Sequence, residues 1–348
     1  MPNMKTPTSR LALVLVIGWQ SCCCADQAFQ PGKPWYDLDG NLIQAHGGGI
    51  IFHQNKFYWH GENRDPNSPA AVSCYSSTNL YHWHLESHPI LKQQIEERFG
   101  ARTFVERPKV AYNPRTKKFV FWMHLDRPGY NFARAGVGIS DSPTGPVTIL
   151  HAIRPITNDF NFPSNDPNQQ KSFGGTFRDM TLYVDSDTNA YVFYASENNA
   201  TMYVVRLNDE WTGPAQPALE GKTWARILVG QMREAPVVFK HQNIYYLITS
   251  GCTGWRPNAA SLAISTNILG PWQVVGNPCV GPLADTTFNS QGTFALPIPN
   301  KPGKFIFLAD RWNPSNLAIS TYVWLPLTVT SPGTCKIEWQ DSWTWENF

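Results

Sequence analysis

Short apolar runs separated by polar turns dominate this chain, and one plan recurs five times: a run of β-branched and aromatic residues, a polar turn, and an aromatic-rich return. It appears in GGGIIFHQNKFYWH at 47–60, ERPKVAYNPRTKKFVFWMH at 106–124 and RDMTLYVDSDTNAYVFYASE at 178–197. It appears again in QMREAPVVFKHQNIYYLITSGCTGW at 231–255 and in QGTFALPIPNKPGKFIFLADRW at 291–312. The openings lie roughly 55 to 75 residues apart, a period that marks a repeat architecture with blades of kelch-like size. A lone hairpin cannot bury its own apolar face, so each copy requires its sisters.

A weaker hairpin follows each copy, at 72–86, 136–150, 202–215, 260–275 and 316–326. Two hairpins make one four-stranded blade, and five such units predict an all-β fold, a five-bladed β-propeller. One short helix is expected over 90–99. No linker divides the repeats, so a single domain is expected over 26–348.

Residues 1–25 read differently. Lys5 and Arg10 precede the apolar stretch 11–18, and Cys24-Ala25 supply a small-residue exit, the plan of a secretory signal peptide. That core is shorter than the roughly 20 apolar residues of a membrane span. The expectation is a secreted, extracellular monomer with no membrane partner. Four cysteines lie beyond the signal, Cys74, Cys252, Cys279 and Cys335, and an even number in an oxidising compartment allows two disulfides in any of three pairings. No CxxC spacing appears, so neither a metal nor another cofactor is expected. A formal charge of +2 without basic clusters gives no reason to expect nucleic acid. The 14 Trp, 13 Tyr and 19 Phe serve mostly inter-blade packing, yet aromatic faces also stack on the apolar faces of sugars, which makes carbohydrate a natural partner.

In a propeller the first strand of each blade lines a central channel, so the residue opening each main hairpin should face one shared funnel. Those residues are Gly47, Glu106, Asp179, Glu234 and Gln291: three carboxylates and one amide from distant parts of the chain. Separated carboxylates in one pocket equip glycoside hydrolysis, where a protonated acid serves the leaving oxygen and a partner on the opposite face handles the water. Like charges held close together would raise at least one pKa. A carboxylate beside an arginine is ordinarily a structural ion pair, and these three adjoin Arg107, Arg178 and Arg233. On strand alternation each arginine should then face away from the funnel. Three carboxylates at one repeat position outweigh the plainer reading.

The five-bladed plan, the Arg178-Asp179-Met180 and Arg233-Glu234-Ala235-Pro236 segments and the FNSQGTF run at 288–294 resemble glycoside hydrolase family 43, most of all its exo-β-1,3-galactanase branch. The resemblance covers roughly Trp35 to the C-terminus. It implies inverting hydrolysis with Glu234 as general acid and Asp179 as the residue that orients it and tunes its pKa. The wider family carries an aspartate base on its first blade, but that blade opens here with His46-Gly47-Gly48-Gly49, and Gln291 matches the glutamine that takes the base's place in the galactanase branch. An amide is a very poor base, so Gln291 either positions the water or acts through an imidic tautomer. Glu106, matching a substrate-contacting glutamate, is the other candidate base. Glu62, Tyr130 and Asn199 resemble contacts to a terminal galactose. Thr253 and Trp255 follow the acid's hairpin, Trp255 as a stacking platform or as plain blade packing. Asn199-Ala200-Thr201 is also an N-glycosylation sequon, and the two readings of Asn199 exclude each other. Some members of the family hold a channel calcium, which His46 could approach. A lone histidine beside three glycines is more often simply packed, so no metal is assigned.

The leading expectation is an exo-acting enzyme that releases galactose from β-1,3-galactan, as in arabinogalactan-type chains. Another family 43 activity, α-L-arabinofuranosidase or β-xylosidase, is the second reading, weakened by the missing blade-one aspartate. A non-catalytic glycan-binding propeller is the third. Inversion would place Glu234 about 6.5 to 9.5 Å from the group opposite, leaving room for a water.

Overall fold

The computed structural model of the protein describes residues 27–157 and 175–348; the signal-peptide reading of 1–25 and the domain start at 26 lie outside the described residues. Five small sheets form the five blades of a propeller. Blade 1 holds β1 (His46–His53), β2 (Lys56–Glu62), β3 (Ala70–Ser77) and β4 (His84–Leu91), and α1 (Lys92–Phe99) follows it, shorter than the 90–99 expected. Blade 2 holds β5 (Phe104–Asn113), β6 (Lys118–Asp126), β7 (Arg134–Ser140) and β8 (Thr148–Ile153). Blade 3 is built from β9 (Met180–Val184), β10 (Ala190–Ser196), β11 (Thr201–Arg206) and β12 (Trp224–Ile227). Blade 4 is built from β13 (Arg233–His241), β14 (Ile244–Gly251), β15 (Ser261–Ser265) and β16 (Gln273–Gly276). Blade 5 has β17 (Cys279–Val280), β18 (Gln291–Pro297), β19 (Lys304–Arg311), β20 (Thr321–Ser331) and β21 (Thr334–Glu338), with β17 added in parallel beside β21.

The second strand of each blade reads as a nearly continuous apolar run because both its faces meet a neighbouring blade. On β6, Phe119, Phe121 and Met123 pack into a cluster shared with blade 1, while Val120 and Trp122 pack into one shared with blade 3. The same alternation yields five apolar clusters, one at each blade junction. The junction of blades 5 and 1 closes the ring. There Trp59 packs 4.8 Å from Trp324, and Phe29, bridged to Trp343, ties the two ends of the described chain together.

Two of the weaker hairpins are placed differently from the sequence expectation. The segment 202–215 supplies β11 only; Asn208 accepts backbone N–H bonds from Thr212 and Gly213 in a tight turn, and the fourth strand waits until Trp224. Pro214 and Pro217 cannot donate to a ladder, which keeps the intervening stretch out of the sheet. Likewise 316–326 is a single 3-10 turn followed by the long strand β20, whose return is β21.

The expected disulfides are absent: Cys74, Cys252, Cys279 and Cys335 are all free thiols. Cys74 is buried with its thiol directed at the Pro143 carbonyl at 3.6 Å, and Cys252 opens toward the central pocket. Cys279 and Cys335 share one apolar cluster, and burial pushes each thiol up to about 12.

A repeated β-bulge sets the geometry of the funnel. In blades 1, 2 and 4 the innermost pair loses register over the same span: His46↔Glu62 then Gly49↔His60, Glu106↔His124 then Lys109↔Trp122, Glu234↔Ser250 then Val237↔Ile248. The residue after each opener has positive φ: Gly47 at 57°, Arg107 at 52° and Ala235 at 51°. The structural counterpart of Glu106 and Glu234 in blade 1 is therefore His46, one residue before the Gly47 that sequence alignment selects. Gly47 is needed for space as well, since a Cβ there would lie 2.2 Å from a Glu62 carboxylate oxygen.

Candidate active site

The inner strands open on a cavity of about 420 Å³ at one mouth of the channel. Glu62, Glu106, Asp179, Glu234 and Gln291 all line it, from all five blades. Below it Lys109 is fully buried, donating to the Gly47 carbonyl at 2.6 Å and to Thr293 at 3.4 Å. Burial, then the nearby charge of Arg107, pulls that ammonium down to about 7.

Glu234 stands at the blade 4 bulge. It accepts from Gln291 Nε2 at 3.0 Å and from Asn199 Nδ2 at 3.3 Å. Burial, and next the negative charge of Asp179, pushes its carboxyl up to about 8, so it holds a proton at neutral pH. Asp179 is itself paired with Arg107 at 3.1 Å. Gln291 is fully committed: Nε2 also donates to Ser250 at 3.0 Å, while Oε1 accepts from Arg107 and from Trp312 Nε1 at 3.0 Å. Two N–H groups and two lone pairs are all an amide has. A proton on Oε1, as an imidic tautomer requires, would have to displace Arg107 or Trp312.

Across the cavity, Glu106 Oε1 accepts from Arg64 Nη2 and from the Tyr130 hydroxyl, each at 3.0 Å, and Oε2 lies 3.2 Å from His124 Nδ1. Burial alone would raise its pKa, but the His124 and Arg64 contacts hold it well below the usual carboxylate range. Glu62 accepts from the Arg107 backbone N–H at 2.9 Å and pairs with Arg64, yet burial keeps its pKa raised. Glu106, His124 and Asp179 bring one ligand atom each within 4.8 Å, the group among the described residues most like a metal set. Each of these atoms already faces a charged partner, His124 on Glu106 and Asp179 on Arg107, and Arg64 and Arg178 line the same cavity. This donor set suits a network of ion pairs better than a dication.

Residues 46–292 match the sequence model of glycosyl hydrolases family 43. The chain belongs to that family. Among solved structures, a family 43 β-1,3-galactosidase with galactodeoxynojirimycin is 38% identical over 91% of this chain and 100% of its own, with a TM-score of 0.81. An exo-β-1,3-galactanase from Clostridium thermocellum is 34% identical over 91% of this chain and 66% of its own, with a TM-score of 0.78. An exo-β-1,3-galactanase from Phanerochaete chrysosporium, solved with β-1,3-galactotriose, is 31% identical over 90% of this chain and 67% of its own, with a TM-score of 0.74. No protein of curated function matches the chain. This family 43 glycoside hydrolase thus lies in the galactanase branch.

In this family 43 enzyme the cavity gathers eight of the nine residues singled out from sequence: Glu234, Asp179, Gln291, Glu106, Glu62, Tyr130, Asn199 and Trp255. Thr253 is outside it, its hydroxyl donating to the Arg256 carbonyl and accepting from Asn258 Nδ2. Asn199 is half-buried, with its amide nitrogen on Glu234 and its Oδ1 without a partner, an arrangement that suits a ligand contact better than a glycan anchor. Trp255 is 42% exposed and meets Trp312 edge-on at 5.5 Å. The arginines behave differently from the alternation rule. Arg233 does turn away, to Thr249 at 2.9 Å, but Arg107 and Arg178 line the cavity. The bulge after Glu106 breaks the period of two and turns neighbouring residues inward together. Arg64, Arg107, His124, Cys252 and Trp312 were not singled out as site residues. Trp312 closes the repeat at 291–312, and its position beside Gln291 is fixed by the β18–β19 register.

Proposed function

We propose that this enzyme is a secreted, exo-acting hydrolase that releases galactose from β-1,3-galactan with inversion, using Glu234 as general acid. The observation that carries this reading is the half-buried Glu234 carboxyl, hydrogen-bonded to Gln291 and facing the cavity, its pKa raised to about 8 by burial and then by the charge of Asp179. The substrate class is supported by the galactanase relatives, and the exo mode by a cavity of about 420 Å³, sized for a terminal sugar. Secretion is supported by the charged and apolar pattern of residues 1–25.

In this account Glu234 gives its proton to the glycosidic oxygen as the C1–O bond breaks, while a water attacks C1 from the opposite face and passes its surplus proton to bulk water at the open side of the cavity. Asp179, anchored by Arg107, keeps the acid charged with its proton. Glu62, Glu106, Tyr130 and Asn199 hold the hydroxyls of the terminal galactose, and Trp255 stacks on the sugar at the open side. Gln291 lies at contact distance from Glu234, far short of the separation expected for inversion. The incoming sugar must therefore part the two, and the freed Nε2 then orients the water. Incubating the protein with β-1,3-galactan, arabinan and xylan and identifying the released sugar tests the reading. Galactose from β-1,3-galactan alone supports it; arabinose or xylose release, or none, overturns it.

A further inference from the structure

We propose that His124, clamped between Asp126 and Glu106, is a positioning residue that carries a proton on both ring nitrogens and so fixes Glu106 as an anionic acceptor for a sugar hydroxyl. The sugar contact rests on the function proposed above; the protonation of His124 does not.

The geometry is set by strand periodicity. His124 and Asp126 are two apart on β6 and share a face, and His124 is the register partner of Glu106 on β5. The ring is 1% exposed, with Nε2 2.9 Å from Asp126 Oδ2 and Nδ1 3.2 Å from Glu106 Oε2. Nε2 alone makes a directed hydrogen bond, to Asp126, while Nδ1 is buried off-axis beside Glu106. A neutral ring would leave a lone pair 3.2 Å from a carboxylate oxygen, a repulsion that a second N–H or a protonated carboxyl relieves. The carboxyls are poor hosts for that proton. Asp126 Oδ1 already accepts from the backbone N–H groups of Arg127 at 2.9 Å and Phe132 at 3.0 Å. Glu106 Oε1 accepts from Arg64 and Tyr130. The remaining charged groups nearby are Asp179 on blade 3, within 4.8 Å, and Arg178 and Arg154, which act on Asp126 from beyond. Burial opposes a charged ring, but the two carboxylates win and lift it to about 9.

Two consequences follow for the reaction. With Arg64 and Tyr130 donating to it and the charged His124 ring 3.2 Å away, Glu106 is a weak proton acceptor, unsuited to serve as base. It is instead an oriented anion facing the cavity, suited to accept a hydrogen bond from a hydroxyl of the sugar.

Imidazole ¹⁵N NMR on the unmodified, ¹⁵N-histidine-labelled protein reads the proton count directly. The resonance pair that vanishes in His124→Asn should show two protonated nitrogens at pH 7; one pyridine-type nitrogen there would overturn the proposal. His124→Asn also keeps a neutral donor near Nδ1. Losing the charge should raise KM for β-1,3-galactotriose by roughly tenfold to a hundredfold, the worth of a hydrogen bond to a charged partner, with kcat less affected. It should also add an acidic limb to kcat/KM as Glu106 begins to titrate. An unchanged KM and pH profile would refute the role. If His124→Asn does not fold, Asp126→Asn identifies the same resonance by its shift. A wild type that shows the doubly protonated ring yet releases no galactose would remove the galactanase reading and leave the imidazolium standing.

Discussion

Replacing Asp179 by Asn should move the alkaline limb of activity to lower pH. Glu234 must carry its proton to act, so activity is present below its pKa and is lost as pH rises through about 8. At that value roughly nine-tenths of the acid is protonated at pH 7. Asp179 is the largest cause of the raised pKa after burial, and it also pairs with Arg107, whose charge pulls the other way. Removing the carboxylate therefore acts twice, deleting a like charge and releasing a cation toward Glu234. Loss of a close like charge is worth about 1 to 3 pKa units, each about 1.4 kcal/mol, so the protonated share at pH 7 falls to between about one half and about one hundredth. The assay is kcat/KM for galactose release from β-1,3-galactotriose over about pH 5 to 10, which reports the free enzyme's acid. The position of the limb, rather than its height, is the readout, because lost orientation lowers the height as well. A limb that stays near 8 or rises would refute the charge argument.

Three further outcomes follow from the same contacts. Glu234→Gln should lower turnover by roughly 10² to 10⁴ while leaving affinity for β-1,3-galactotriose nearly intact, read by kinetics and by calorimetric binding. Gln291→Glu would set a second carboxylate where the amide now touches Glu234 at 3.0 Å, so the alkaline limb should move upward, opposite to Asp179→Asn, and a downward shift would contradict this. Trp324→Ala empties a buried site where blades 5 and 1 meet and should cost about 3 to 5 kcal/mol, measured as a lower denaturant midpoint.

Much of this could be read from residues alone, because the information was periodic. Repeating apolar runs specify blades, and the openers Glu106, Asp179, Glu234 and Gln291 carry their own spacing. What escaped reading depends on local breaks in that period. The bulge after Glu106 puts Arg107 in the cavity where alternation turns it out, and the matching bulge makes His46 the blade 1 opener. Arg64 lies in a loop, and nothing in its spacing shows that it joins Glu62 to Glu106. The contact between Gln291 and Glu234 is a side-chain choice made by Arg107, Trp312 and Ser250 together, which repeat logic does not reach. Even cysteine number misled: all four thiols are free, with Cys74 buried in blade 1 against the Pro143 carbonyl and Cys252 facing the cavity just after β14.

The anomeric form of the first product tests the central claim most directly. Proton NMR during hydrolysis of β-1,3-galactotriose should show α-galactose appearing first and only later equilibrating to the mixture, as a water guided past Gln291 to the face opposite Glu234 requires. Initial β-galactose would mean a covalent intermediate on one of the cavity's carboxylates, and no galactose at all would mean that this site binds sugars without cleaving them.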